Sequence, residues 1–261
     1  MRSIYAIYRK EIGHYFVSPV AYVIIGVFLL LAGFFFHVIL AEIMQEAMQN
    51  QFQGMQMGFP SEFDVPSMVM RNFFGLISTL LLFVTPMLTM GVYAEERKRG
   101  TMELLMTSPV TELQIVIGKF LASFSLLVVM LLPTVLYVVF MYLHSDPMPP
   151  WRIMFAGYLG ALLLGGSLMA LGTFISSLTE NQLIAAVLTF AAFLAVWVMD
   201  VGHSLGGGWG TVFSYLSIIR HYEDFTQGVI DTSSLVYYGS FIFLFVFLTV
   251  RTVDSMRWRR A

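Results

Sequence analysis

The sequence predicts an all-α integral membrane protein. Of its 261 residues, 58% are hydrophobic and 11% charged, against about 45 to 50% and about 25% in soluble domains. Six apolar stretches reach or approach the roughly 20 helical residues that cross about 30 Å of hydrocarbon: residues 19–41, 72–93, 115–143, 153–176, 183–201 and 234–251. Charge is concentrated in one polar island, EERKRGTMELLMTSPVTELQIVIGK, from Glu95 to Lys119.

Each element has its own signal. Residues 1–17 place Ile4, Tyr5, Tyr8, Ile12, Tyr15 and Phe16 on one helical face, and aromatic side chains favour the headgroup level, so an interfacial helix lying on the inner membrane surface is expected. Residues 42–68 form the first outer loop, rich in Gln and Met. Met44, Met48, Met55, Met57, Met68 and Met70 suggest two readings: a thioether Cu(I) site, or a flexible loop with a short amphipathic helix. No Cys or His lies within that loop. Pro86 and Pro133 interrupt the second and third spans and predict kinks there.

The charges at Glu95, Glu96, Arg97, Lys98 and Arg99 would each cost about 2.5 to 3.5 kcal/mol at the bilayer centre. Residues 95–112 are therefore read as a loop in water, with a short helix after Gly100 that Thr101 caps and Pro109 stops. In the fourth span, Gly157, Ala161 and Gly165 recur every fourth residue, spacing that lets helices approach closely. Between the last two spans, Phe213, Leu216, Ile219, Tyr222 and Phe225 repeat at threes. They predict an outer or re-entrant helix behind the glycines at 206, 207, 208 and 210.

Eleven of the fourteen basic residues fall on the N-terminal side of the membrane and three, Arg71, Arg152 and Arg220, on the other. This bias predicts that both termini and the island are cytoplasmic. The chain has no cysteine, hence no disulfide or thiolate metal site. It contains no G-x-x-x-x-G-K-[ST] loop, no H-E-x-x-H and no G-x-S-x-G, so neither nucleotide hydrolysis nor those hydrolase chemistries are expected of it. A small membrane enzyme or quinone-linked subunit lacks a supporting constellation. Lys119, Arg71, Arg152, Glu180 and Asp200 sit at the ends of spans, where snorkelling or interfacial hydrogen bonding accounts for them.

The island resembles the signature of ABC-2-type transporter permeases. The likeness rests on Glu95, Glu96, Gly100, Thr101, Glu103, Leu104, Leu105, Ser108, Pro109, Val110, Gly118 and Lys119, and the order of features agrees across almost the whole chain. The later stretch of His221, Tyr222, Phe225, Gly228, Val229, Ile230 and Asp231 looks like the gliding-motility-associated branch. The resemblance implies one permease domain over 1–261 at the inner membrane. It implies pairing with a second copy or a related permease, and with an ABC ATPase subunit that binds ATP and Mg; the chain itself needs no cofactor or metal. Glu95, Glu96, Gly100, Thr101, Glu103, Leu104, Leu105, Met106 and Pro109 would form the ATPase-coupling segment. Membrane lipid and an outer-facing auxiliary protein are further candidate partners, nucleic acid is not, and a scaffold that drives an envelope or motility machine is the alternative to an exporter.

Overall fold

The computed structural model describes residues 2–57, 64–106, 109–199 and 215–258, and among these no strand occurs. The N-terminal helix α1, Arg2–Val17, packs along α6, Glu112–Leu131. Its inward residues are Ile7 and Glu11, whereas Tyr5 and Phe16 are exposed. The packed face is thus rotated from the expected one, because α6 offers Gly118 as a seat for Ile7 and Lys119 as a partner for Glu11. Tyr8 and Tyr15 extend that contact through their hydroxyls to Ser125 at 3.1 Å and Ser123 at 3.0 Å.

Helix α2 runs unbroken over Pro19–Met57. The expected outer loop is therefore helical from its start at Glu42 to Met57, since Glu, Gln, Met and Ala are all good helix formers and nothing there stops a helix already nucleated in the membrane. Helix α3, Val65–Thr89, starts seven residues before the expected 72, capped by Asp64, whose Oδ1 accepts from Ser67 N at 3.2 Å. It carries Pro86 without ending there. The regular helix instead lapses at Met90, which keeps helical dihedrals and donates to Pro86 O at 3.0 Å, and resumes as α4, Gly91–Lys98. Glu95 to Lys98, read as loop, are helical for this reason. Helix α5 is Thr101–Met106.

Thr111 and Gln114 form a capping box at the start of α6. The third span then tightens into a 3-10 turn at Leu132–Thr134, beside the expected break at Pro133, before α7, Val135–His144. Helices α8, Trp151–Leu178, and α9, Gln182–Val198, follow. The expected span to residue 201 closes at Val198, with 200 and 201 outside the described residues. Helix α10, Ile218–Thr226, and α11, Thr232–Trp258, complete the chain, α11 extending beyond both expected ends at 234 and 251. Among the described residues five helical stretches, with α3–α4 and α6–α7 each taken as one, are long and apolar enough to cross a membrane; α9, at 17 residues, is shorter.

Helix α8 occupies the centre, touching α3, α4, α6, α9, α10 and α11. Its small residues permit this, but they do not all face one neighbour. A Cβ on Gly157 would collide with the Phe74 ring of α3, and one on Gly165 would lie 2.6 Å from Leu127 Cδ2 of α6. Ala161 between them is fully buried. Gly160 admits Phe225 of α10, and Gly172 admits Thr89. The inward face of α10 is Ile218, His221, Tyr222 and Phe225. The predicted helix is present, and of the edge read from the sequence Ile219, Tyr222 and Phe225 pack against the core, whereas Leu216 is exposed. The glycine cluster and Phe213 lie outside the described residues.

Candidate functional site

The island is built from two short helices hung on a charged junction. At the turn into α4, Ser176 of α8 accepts from Tyr93 N at 3.1 Å and Ala94 N at 3.2 Å and donates to Met90 O at 2.9 Å. The first turn of a helix has unpaired N–H groups. Here one hydroxyl from the central helix satisfies two of them, so α4 is fastened to α8 at its root. Arg97 makes the second fastening, donating to Ser177 O at 2.8 Å and pairing with Glu180 at 2.9 Å.

Glu96 turns inward. Its carboxylate contacts Lys119 Nζ at 2.9 Å through Oε2 and Lys10 Nζ at 3.0 Å through Oε1. Lys119 is 1% exposed. Its directed hydrogen bonds go to Glu11 Oε1 and Val92 O, both at 3.0 Å; the Glu96 Oε2 contact is an ion pair off the hydrogen-bonding angle. The ammonium also lies 5.3 Å from the Tyr93 ring centre. Three helices, α1, α4 and α6, therefore meet on one buried ammonium, and Lys119 does not snorkel. A charge this deep is stable only when paired, and the two carboxylates with two ammonium groups give a neutral cluster. Partial burial lowers the Lys10 pKa, but Glu96 and then Glu11 outweigh it and the net shift is upward. A raised lysine keeps its stabilising charge throughout the neutral range and loses it only above the ordinary lysine pKa.

Beyond this junction Glu95 pairs with Arg99 one turn along the helix. Gly100 takes φ +72°, which only glycine adopts without strain, and reverses the chain into α5. Thr101 does not cap α5 as expected; it is the first helical residue, and its hydroxyl donates back to Glu96 O at 3.3 Å. Met102 is buried with Val92, Tyr93, Val116 and Val253, and Leu105 packs against that cluster. Glu103, in the first turn where an acid suits the helix dipole, and Pro109, beyond the helix, are exposed. The backbone of Leu104 and Met106 is helical; Ser108 lies outside the described residues.

The expected coupling residues thus divide. Glu96 and Leu105 face the protein, Glu95 is held along its own helix, and Glu103 and Pro109 face outward. Reading the sequence missed Met102, whose i, i+3 spacing with Leu105 was the available signal. It also missed Ser176 and the Glu11–Lys119 pair, separated by 108 positions, for which no local signal exists. Among the described residues no three His, Asp or Glu side chains converge as a metal site would require.

A model of the ABC-2 family of transporter proteins matches residues 5–255. The probable multidrug ABC transporter permease YbhR of Escherichia coli K12, and its namesake in Escherichia coli O157:H7, are each 29% identical over 208 residues. The alignment covers 73% of this chain and 55% of theirs, so the chain spans about half the length of these curated relatives. The family match runs from α1 to the last turns of α11 and includes the whole junction, and this multi-pass membrane protein belongs to the ABC-2 transporter family.

Proposed function

We propose that the chain is a transmembrane permease subunit of an ABC exporter, at the inner membrane with both termini cytoplasmic. In this reading α9 is a sixth span, α1 an interfacial helix and α5 the coupling helix, docked on a separate ATPase subunit that binds ATP and Mg. Two permease copies, or this chain and a related permease, enclose the path, and membrane lipid surrounds it. The observation that carries the reading is the anchorage of α4. A short helix pushed from the cytoplasm moves spans only if its root is stiff, and α4 is fixed to α8 by Ser176 and Arg97 and to α1 and α6 by Glu96.

The test is the pair Glu103→Arg and Leu104→Arg on α5. Both variants should fold and insert, while hydrolysis by the co-purified ATPase loses its response to the permease. Unchanged stimulation, or failure of any ATPase subunit to co-purify with the unaltered chain, counts against the reading. The alternative role as an envelope or motility scaffold, and the gliding-type likeness behind it, lean on the stretch from His221 to Asp231. Packing accounts for much of that stretch. His221 is bound to Ser234 at 3.1 Å and Tyr215 O at 3.1 Å, Tyr222 donates to Phe74 O at 2.9 Å, Phe225 fills the space over Gly160, and Gly228 takes φ +81°.

A further inference from the structure

The end of α2 past the membrane is the surface that the proposed function does not use. At 39 residues the helix is about 58 Å long, against about 30 Å of hydrocarbon, and its charged residues begin only at Glu42. The last sixteen residues therefore stand clear of the acyl chains. On that segment Met44, Met48, Phe52 and Met55 are 46%, 56%, 70% and 74% exposed. Their spacing puts them within about 80° on an ideal helix, a stripe well away from the side that carries Ile43, Ala47 and Asn50 against the rest of the chain. The rest of the described surface there is Gln and Glu. Lipid does not cover an apolar stripe at that height.

The stripe has the period of a helix pair. Ala41, Met44, Met48 and Met55 fall on alternating steps of three and four, with Gln51 at the intervening position and Phe52 beside it. The same steps continue down into the membrane through Val23, Val27, Leu30 and Phe34, each at least half exposed. A seam repeating every 3.5 residues is matched by a helix that supercoils with it.

We propose that this seam is covered by α2 of a second copy, the two helices running parallel as a zipper that continues outside the membrane. This rests on the two-copy reading above and adds the surface. Three observations select a second copy. The seam's period carries from hydrocarbon depth, through His37 and Ala41, to the outer segment, so its occupant must enter the bilayer too, as an identical helix inserted in the same direction does. Glu42 and Glu46 lie about 120° or more from the seam centre on the helical wheel, so self-pairing opposes no like charges. Eight seam side chains at roughly 100 Å² each supply about 800 Å² per copy, the per-partner area of a standard stable interface.

The cysteine-free chain permits a direct test. Met48→Cys and Met55→Cys on the seam, and Glu46→Cys off it, are made in the full-length protein, kept in membranes and oxidised, while native mass spectrometry of the same preparations reports copy number. The seam variants should shift to twice the monomer mass and Glu46→Cys should not, because a disulfide needs Cα atoms within about 7 Å. A dimer by mass with no seam cross-link overturns the zipper and leaves the two-copy reading standing; monomers throughout overturn both. A seam cross-link to a species of other mass overturns the zipper in favour of an auxiliary protein.

Discussion

Replacing Lys119 by Met removes the one charge on which α1, α4 and α6 converge. Met fills a similar volume, so the loss is electrostatic and not a cavity. Before the change the cluster holds Lys10, Lys119, Glu11 and Glu96; after it two carboxylates face a single ammonium, that of Lys10. Breaking a buried pair by deleting one partner costs about 3 to 5 kcal/mol. The lower end applies, because Lys10 still contacts Glu96 at 3.0 Å and Glu11 at 3.5 Å. About 3 kcal/mol corresponds to a midpoint some 6 to 12 °C lower in a chain of this size. The assay is tryptophan-monitored thermal unfolding in detergent. The second arm, Lys119→Met with Glu11→Gln, restores neutrality by leaving the Lys10–Glu96 pair alone, and should recover at least half of the loss. A single variant that melts with the wild type, or a double variant no more stable than the single, refutes the cluster as the joint between these helices.

Ser176→Ala leaves Tyr93 N and Ala94 N without their acceptor; at about 1 to 3 kcal/mol for a buried unpaired group, amide exchange at the root of α4 should accelerate while α8 keeps its protection. Gly100→Ala forces an L-residue into φ +72°; the expected cost is about 1 to 2 kcal/mol, read as a lower unfolding midpoint. Gly157→Val drives a side chain into the Phe74 ring and should destabilise by about 1 to 3 kcal/mol or more through overpacking, an effect that Phe74→Ala in the same chain partly relieves in a double-mutant cycle.

What could be read in the sequence was whatever one segment decides alone. The apolar runs specify spans, Gly100 and Pro109 bracket α5, and Gly157 and Gly165 announce close packing, since length, backbone freedom and side-chain volume are local properties. The errors share a cause. The outer loop was read as holding at most a short amphipathic helix, yet Gln and Glu sustain a helix well once Pro19–Ala41 has nucleated it, and α2 runs on to Met57. The break at Met90 was sought at Pro86, but Thr85 and Thr89 return their hydroxyls to carbonyls one turn back, and the packed α3 tolerates the proline. Lys119 was taken for a span-end residue that snorkels or hydrogen-bonds at the interface, because its partners, Glu11 and Glu96, lie in other segments and identify themselves only when α1 docks.

That docking bears on how the island would transmit force. A load on α5 has two routes inward: the covalent one through Arg99 and Gly100, and the apolar one through Met102 and Leu105 to Val116 of α6 and Val253 of α11. The covalent route passes through Gly100, which has no side chain to pack and the widest backbone freedom of any residue. The apolar route is broad but non-directional. Neither alone would tie the movement of α5 to α8. The tie is α4, because Ser176 binds its first turn and Arg97 its last, while Glu96 fixes the same eight-residue helix to α1 and α6. If α5 is the coupling helix proposed above, a stroke delivered to it would reach α4 through Met102, which is buried against Val92 and Tyr93, and α4 would pass the load most directly to the central helix α8.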